Sequence, residues 1–174
     1  QLVTIGACDS GMLYDPELFE KFLSEKAIDI IVWGARGHPS AIRSPEMYGW
    51  IEADTKTGNI SSVSVKVPLE DPKRDPIIVG AFTFRHLRDF FDAVKRMKER
   101  KATVNGEYYV DMAINDAIAL GLNCKLFEID SYICWGTPNE LKTFEYWQSC
   151  FHKWPSHPYR LEKDQNVDKC LNVS

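Results

Sequence analysis

The stretch AIDIIVWG, residues 27–34, is an apolar run broken only by Asp29. A strand with no polar parity must be covered on both faces, which happens in sheets flanked by helices. A second run, IIVGAFTF at 77–84, has the same character and carries Gly80 in its interior. A third, LVTIGACD at 2–9, reads as a buried strand ending in Asp9.

Helices alternate with these runs. Asp15 and Pro16 predict an N-cap and a first helical position, followed by Leu18, Phe19, Phe22 and Leu23 on one face. Three further stripes recur at helical spacing: Leu87, Phe90, Phe91, Val94 and Met97; Val110, Ala113, Ile114, Ala117 and Ile118, stopping at Gly121; and Leu141, Phe144, Trp147 and Phe151, after Pro138. All three read as core surfaces.

From Tyr48 the period changes to two. GWIEAD, a TKTG turn and NISSVSVKV predict an antiparallel hairpin, with Val63, Val65 and Val67 on one side and Ser62, Ser64 and Lys66 on the other. CKLFEIDSYI, 124–133, reads as one more strand. This order of elements predicts an α/β domain with a mixed sheet.

Composition removes several classes of function. A formal charge of -4 supplies no basic field for nucleic acid. No apolar run reaches the roughly 20 residues of a membrane span, and none resembles a signal peptide, so a cytoplasmic location is expected. The five cysteines, Cys8, Cys124, Cys134, Cys150 and Cys170, contain no C-x-x-C and are expected as reduced, mostly buried thiols. His38, His86, His152 and His157 show no metal-ligand spacing.

The sequence starts at Gln1 inside a strand-like run, which predicts a domain truncated at its N-terminus. Residues 1–153 are expected to form the domain, and the polar, Pro-marked 154–174 a C-terminal extension.

Ligands in open α/β sheets collect beyond the carboxyl ends of strands, and several residues fall at such places. Asp9 can offer a carboxylate to a hard cation, or serve as a turn residue. Lys66 can hold a phosphate as a point charge, or stand solvated. Glu107, before a helix, can accept from hydroxyls or simply stabilise the first turn. Asp111, four residues on, can share its face. Gly80 can mark close approach of a ligand or of another backbone. Tyr48-Gly49 and the turn at Gly136-Thr137 complete the set.

In combination and order, CD, MYGWIEAD, VSVKVPLEDP, VGAFTF, NGEYYVDMAIN and WGTPNEL resemble the latter part of the sugar-phosphate nucleotidyltransferases, over about residues 1–150. These sugar-nucleotide pyrophosphorylases share a Rossmann-like fold with GT-A glycosyltransferases. The resemblance implies transfer of a nucleotidyl group from a nucleoside triphosphate to a sugar 1-phosphate, with magnesium and release of pyrophosphate. It makes Asp9 a metal ligand, Lys66 the contact to the sugar phosphate, Gly80 and Glu107 contacts to the sugar, and Tyr48-Gly49 the pair preceding the hairpin.

Two departures stand out. The family's Gly-rich, Arg-containing nucleotide loop and its Pro-Lys do not occur in this sequence, so little turnover is expected of the chain by itself. Many members carry Asp-x-Gly-Thr where this chain has Cys134-Trp135-Gly136-Thr137, and a thiol is a poor magnesium ligand. Asp111 or Asp130 is then expected as the second carboxylate, or the metal has one protein ligand. The alternative is a non-catalytic binding or regulatory module. A GT-A glycosyltransferase ranks lower, since Cys8-Asp9-Ser10 is not Asp-x-Asp. Homo-oligomerisation is left open.

Overall fold

The computed structural model describes residues 1–154. The expected extension, with His157 and Cys170, lies outside the described residues, apart from Trp154. The chain clusters into two compact units, Gln1–Ile133 and Cys134–Ser174.

The first unit is built on a mixed sheet of six strands, β1 (Val3–Ile5), β3 (Ile30–Ala35), β4 (Gly49–Ala53), β5 (Ile60–Val65), β6 (Ile77–Phe84) and β7 (Cys124–Glu128). Their order is β5-β4-β6-β3-β7, with β1 also on β6. β3 runs parallel to β7 and antiparallel to β6. The apolar runs are explained by parity. Ile30 and Val32 of β3, with Ile78, Phe82 and Phe84 of β6, enter one core, against which helices α3 (Leu87–Glu99) and α4 (Val110–Ala119) pack. Ile31, Trp33, Ile77, Val79 and Ala81 enter the other, covered by Phe19, Phe22 and Leu23 of α1 (Pro16–Ser24). Polar groups inside are paired: the Trp33 indole N–H donates to Thr83 Oγ1 at 3.0 Å, and Thr83 bonds Thr4 at 2.9 Å.

Local signals hold where they were strongest. Asp15 caps α1, its Oδ1 accepting from the N–H groups of Glu17 and Leu18. The hairpin pairs Gly49 with Val65 and Ile51 with Val63, and Asp54 holds its turn by accepting from the N–H groups of Lys56 and Thr57. At the outer edge the Asn115 side chain of α4 accepts from the N–H of Val63 and donates to its carbonyl, both at 2.7 Å.

Several expectations are corrected. LVTIGACD is not one buried strand: β1 stops at Ile5, Leu2 is 49% exposed, and Asp9 lies in a bend before β2 (Ser10–Leu13). CKLFEIDSYI divides, because the Ile129 N–H donates to Gly34 and the Asp130 N–H to Leu13, handing the chain from one sheet to another. Its second part, β8 (Ser131–Cys134), pairs with β2 in a two-stranded sheet. The loop after Gly34 contains a short helix, α2 (Pro39–Arg43), and a 3-10 turn, Pro45–Met47. Phe91 is exposed at the rim of its stripe. Cys8 is exposed, whereas Cys124 is buried and its thiol is pushed up to about 12 by burial.

In the second unit, α5 (Pro138–Lys153) starts as predicted, Thr137 Oγ1 accepting from the Glu140 N–H at 3.2 Å. Among the described residues its stripe is only partly covered. Leu141, Trp147 and Phe151 are each 42–55% exposed, whereas Phe144 is half-buried with its ring 5.2 Å from that of Trp135.

Gly80 interrupts β6. Its φ is 75°, and the register between β3 and β6 shifts across Val32 and Gly34, which is a bulge. A Cβ there would also meet the Ala7 Cβ at 2.8 Å, whereas at Gly106, φ 81°, it would meet nothing within 4 Å. Gly80→Ala is therefore expected to lose about 2 kcal/mol of stability from backbone strain and collision, and Gly106→Ala less. Equal urea midpoints for the two variants would refute the collision with Ala7.

Candidate functional site

The bulge lies at a gap between two strands along one edge of β6, and residues 7–10 cross it. β3 occupies one edge of β6, so β1 and β4 share the other: β1 pairs Phe82–Phe84 and β4 reaches only Ile77. Both run antiparallel to β6, so the carboxyl end of β1 faces the amino end of β4 across the bulge. Asp9 follows the end of β1. The Ala7 N–H donates to the Gly80 carbonyl at 2.9 Å, and the Ser10 hydroxyl reaches that of Val79 at 3.5 Å. Tyr48 and Gly49 stand at the opposite lip.

Lys66 reaches the same place by a departure from the expected alternation. The strand ends at Val65, and Lys66 has a φ of 58°, a left-handed conformation that costs a non-glycine residue. Its N–H donates to the Tyr48 carbonyl at 3.0 Å, while Ser64 Oγ donates across it to the Val67 carbonyl at 2.5 Å. Lys66 is thus a residue beyond the strand, and Val67 turns out to solvent, 62% exposed. Backbone strain of this kind gathers at functional sites.

Glu107 is carried by a tight turn. Val104 and Glu107 exchange backbone hydrogen bonds around Asn105 and Gly106, with φ 52° and 81°, the type I′ geometry that Asn-Gly favours. Tyr109, which no sequence motif singles out, joins Glu107 to Lys66. Its hydroxyl donates to Glu107 Oε2 at 2.7 Å, and the Lys66 Nζ lies 5.0 Å from its ring centroid. The Tyr109 hydroxyl holds the Lys66 ammonium charged above its ordinary range, against a smaller effect of burial, with the Glu107 charge adding to it.

Asp111 lies in the first turn of α4, against Gly49. A Cβ on Gly49 would sit well inside contact with the carboxylate, so the glycine is what admits it. Burial raises the Asp111 pKa from 3.8 to about 6, a hydrogen bond from its own backbone partly offsetting this. Carboxylates raised by burial are enriched at functional sites.

The structure therefore joins Tyr48 to Lys66, Lys66 through Tyr109 to Glu107, and Gly49 to Asp111, while Gly80 is met by Ala7, two residues before Asp9. Gly136 and Thr137 form the corner that starts α5 in the second unit. There the Thr137 hydroxyl donates to Glu140 Oε2 at 3.0 Å and the Cys134 thiol to the same oxygen at 3.3 Å. Thr137-x-x-Glu140 is legible in the sequence as a capping signal.

Among the described residues no group of three or more His, Cys, Asp or Glu side chains is arranged to hold a metal. Magnesium is commonly held by one or two carboxylates together with phosphate oxygens and water. Asp9 is exposed, while Asp111 is half-buried with its carboxylate against Gly49. No helix of the described residues is long and apolar enough to cross a membrane.

This architecture is a mixed-sheet α/β fold of the nucleotidyltransferase type. It is similar to the nucleoside-diphosphate-sugar pyrophosphorylase from Vibrio cholerae RC9, with a TM-score of 0.61 at 18% identity, over 82% of this chain and 55% of that one. It is likewise similar to UDP-glucose pyrophosphorylase solved with UDP-glucose, with a TM-score of 0.61 at 14% identity, over 86% and 57%. The CMP:2-keto-3-deoxy-manno-octonic acid synthetase solved with CTP aligns with a TM-score of 0.50 at 15% identity, over 77% and 54%. The chain thus spans about half the length of the solved structures it matches. No family model and no curated protein matches the sequence.

Proposed function

We propose that the gap at Gly80 binds a sugar 1-phosphate, and that the chain is the sugar-binding portion of a nucleotidyltransferase that joins this acceptor to a nucleoside triphosphate. The observation that carries the reading is the convergence of a cation, Lys66, and a hydroxyl-binding carboxylate, Glu107, on the one side chain of Tyr109.

In this reading Lys66 holds the acceptor phosphate, Glu107 accepts from sugar hydroxyls, and the Gly80 backbone lies along the ring, with Tyr48 and Gly49 forming the facing wall. An acceptor phosphate oxygen is already ionised near neutral pH, so in-line attack on the α-phosphorus needs positioning rather than a general base. Magnesium, with Asp9 as its protein carboxylate and Asp111 as a second candidate, would supply charge neutralisation. Such chemistry fits a cytoplasmic enzyme that makes activated sugars for polysaccharide, whether alone or as a homo-oligomer.

The test is calorimetric titration of the chain with glucose 1-phosphate. Lys66→Ala is expected to weaken binding at least about tenfold, the loss of one charge-assisted contact. A wild-type chain that binds no sugar phosphate would count against the reading.

A second reading, a binding module without catalysis, draws on Cys134 standing in place of a carboxylate. Pyrophosphate release by the protein encoded by the complete gene, lost in Asp9→Asn, separates the two. Release that survives Asp9→Asn in full would dismiss Asp9 as the metal ligand.

A further inference from the structure

The Lys66 ammonium lies over the face of Tyr109, and the Glu107 carboxylate accepts from that ring's hydroxyl. A phenol therefore stands between two opposite charges that are drawn toward each other. A long lysine and an exposed glutamate so close in space would otherwise collapse into an ion pair, leaving neither for a ligand. The ring face and the phenol oxygen engage the ammonium and leave further N–H donors open; the hydroxyl fills one acceptor site of the carboxylate and leaves others. Tyr109 is itself anchored, half-buried against the core cluster as the residue that opens α4.

We propose that Tyr109 is a positioning residue that keeps Lys66 and Glu107 apart and oriented, so that the pair selects ligands with a phosphate at one end and a hydroxyl at the other. The inference rests on the reading of the gap as a sugar-phosphate site and adds how that site discriminates. Inorganic phosphate satisfies only the Lys66 arm. A phosphorylated sugar satisfies both, and the ring also removes rotamer freedom that Lys66 would otherwise lose on binding.

The experiment compares glucose 1-phosphate with inorganic phosphate, by calorimetry, on the wild-type chain, Tyr109→Phe and Tyr109→Leu, with Tyr108→Phe as an exposed neighbouring control. Tyr109→Phe keeps the ring and loses the hydroxyl. It is expected to bind inorganic phosphate within about twofold of wild type while its preference for the sugar phosphate falls about tenfold. Tyr109→Leu is expected to lose about tenfold toward both probes, as Lys66 falls onto Glu107. A merely structural tyrosine would not split the two probes in this way. If the wild type binds glucose 1-phosphate and both variants keep its affinity and its preference, the clamp is overturned and the site stands. If the wild type binds neither probe, the site reading is overturned and the clamp falls with it. Thermal unfolding of each variant confirms that the compared proteins are folded.

Discussion

Asp111→Asn is expected to raise the stability of the chain at pH 8 by about 3 kcal/mol and to leave it nearly unchanged at pH 4. The carboxyl is buried beside Gly49, and burial raises its pKa from 3.8 to about 6. Between those values the folded state binds more protons than the unfolded state, so stability falls as pH rises from about 4 to about 6 and stays low above. An amide of the same shape has no proton to lose. Denaturant unfolding of both proteins at a series of pH values isolates the effect, because other titrating groups are common to both. Parallel stability curves across this range would refute the burial of an ionisable Asp111. If the variant is more stable and also binds glucose 1-phosphate poorly, the carboxylate is held at a cost to stability because the ligand needs it.

The second large effect concerns the packing of α3 on α4. Asp116 is 2% exposed and accepts from Arg100 Nε at 2.7 Å and Nη2 at 2.9 Å, with Arg96 Nε at 3.5 Å. Removing both arginines leaves a buried carboxylate without its cations, and Arg96→Ala/Arg100→Ala is expected to lose about 3–5 kcal/mol. The reverse change is milder: the guanidinium groups are nearly half exposed and rehydrate when Asp116 is lost. Adding Asp116→Asn to the double variant should recover most of the loss. A double variant within about 1 kcal/mol of wild type in urea unfolding would show that the buried charge is otherwise compensated. Since domains are stable by only about 5–15 kcal/mol, this one cluster decides whether the pair of helices stays docked.

Legibility followed the range of the forces involved. β3 and β6 could be read directly because burial on both faces leaves no polar parity, and α1 and α5 could be dated to a residue by the side chains that cap them. The split of 124–133 could not, because what ends β7 is the capture of the Ile129 and Asp130 N–H groups by distant carbonyls. The exposure of Leu141 and Trp147 on α5 was hidden for the same reason: a period states which face is apolar, never what lies across from it.

The site was legible as a set of positions and not as a mechanism. Lys66 was identifiable, but its left-handed backbone was not, since that conformation is written in glycine and asparagine far more often than in lysine. Asn105-Gly106 is the dipeptide that type I′ turns favour, yet it was not read as the turn that delivers Glu107. Tyr109 left no signal, because its role depends on three residues from two segments meeting in space. Asp116 was equally silent, its partners lying on a different helix.

The Asn115 side chain bears on how copies of this chain meet. β5 is the outermost strand on its side of the described sheet, and an open edge of that kind is a template for another chain. By taking the N–H and carbonyl of Val63 together, the amide imitates one residue of an adjoining strand and then stops. A second copy arriving at this edge meets a docked helix instead of a continuous ladder. If the protein assembles with itself, the growth of its sheet outward from β5 is the geometry that this single asparagine discourages.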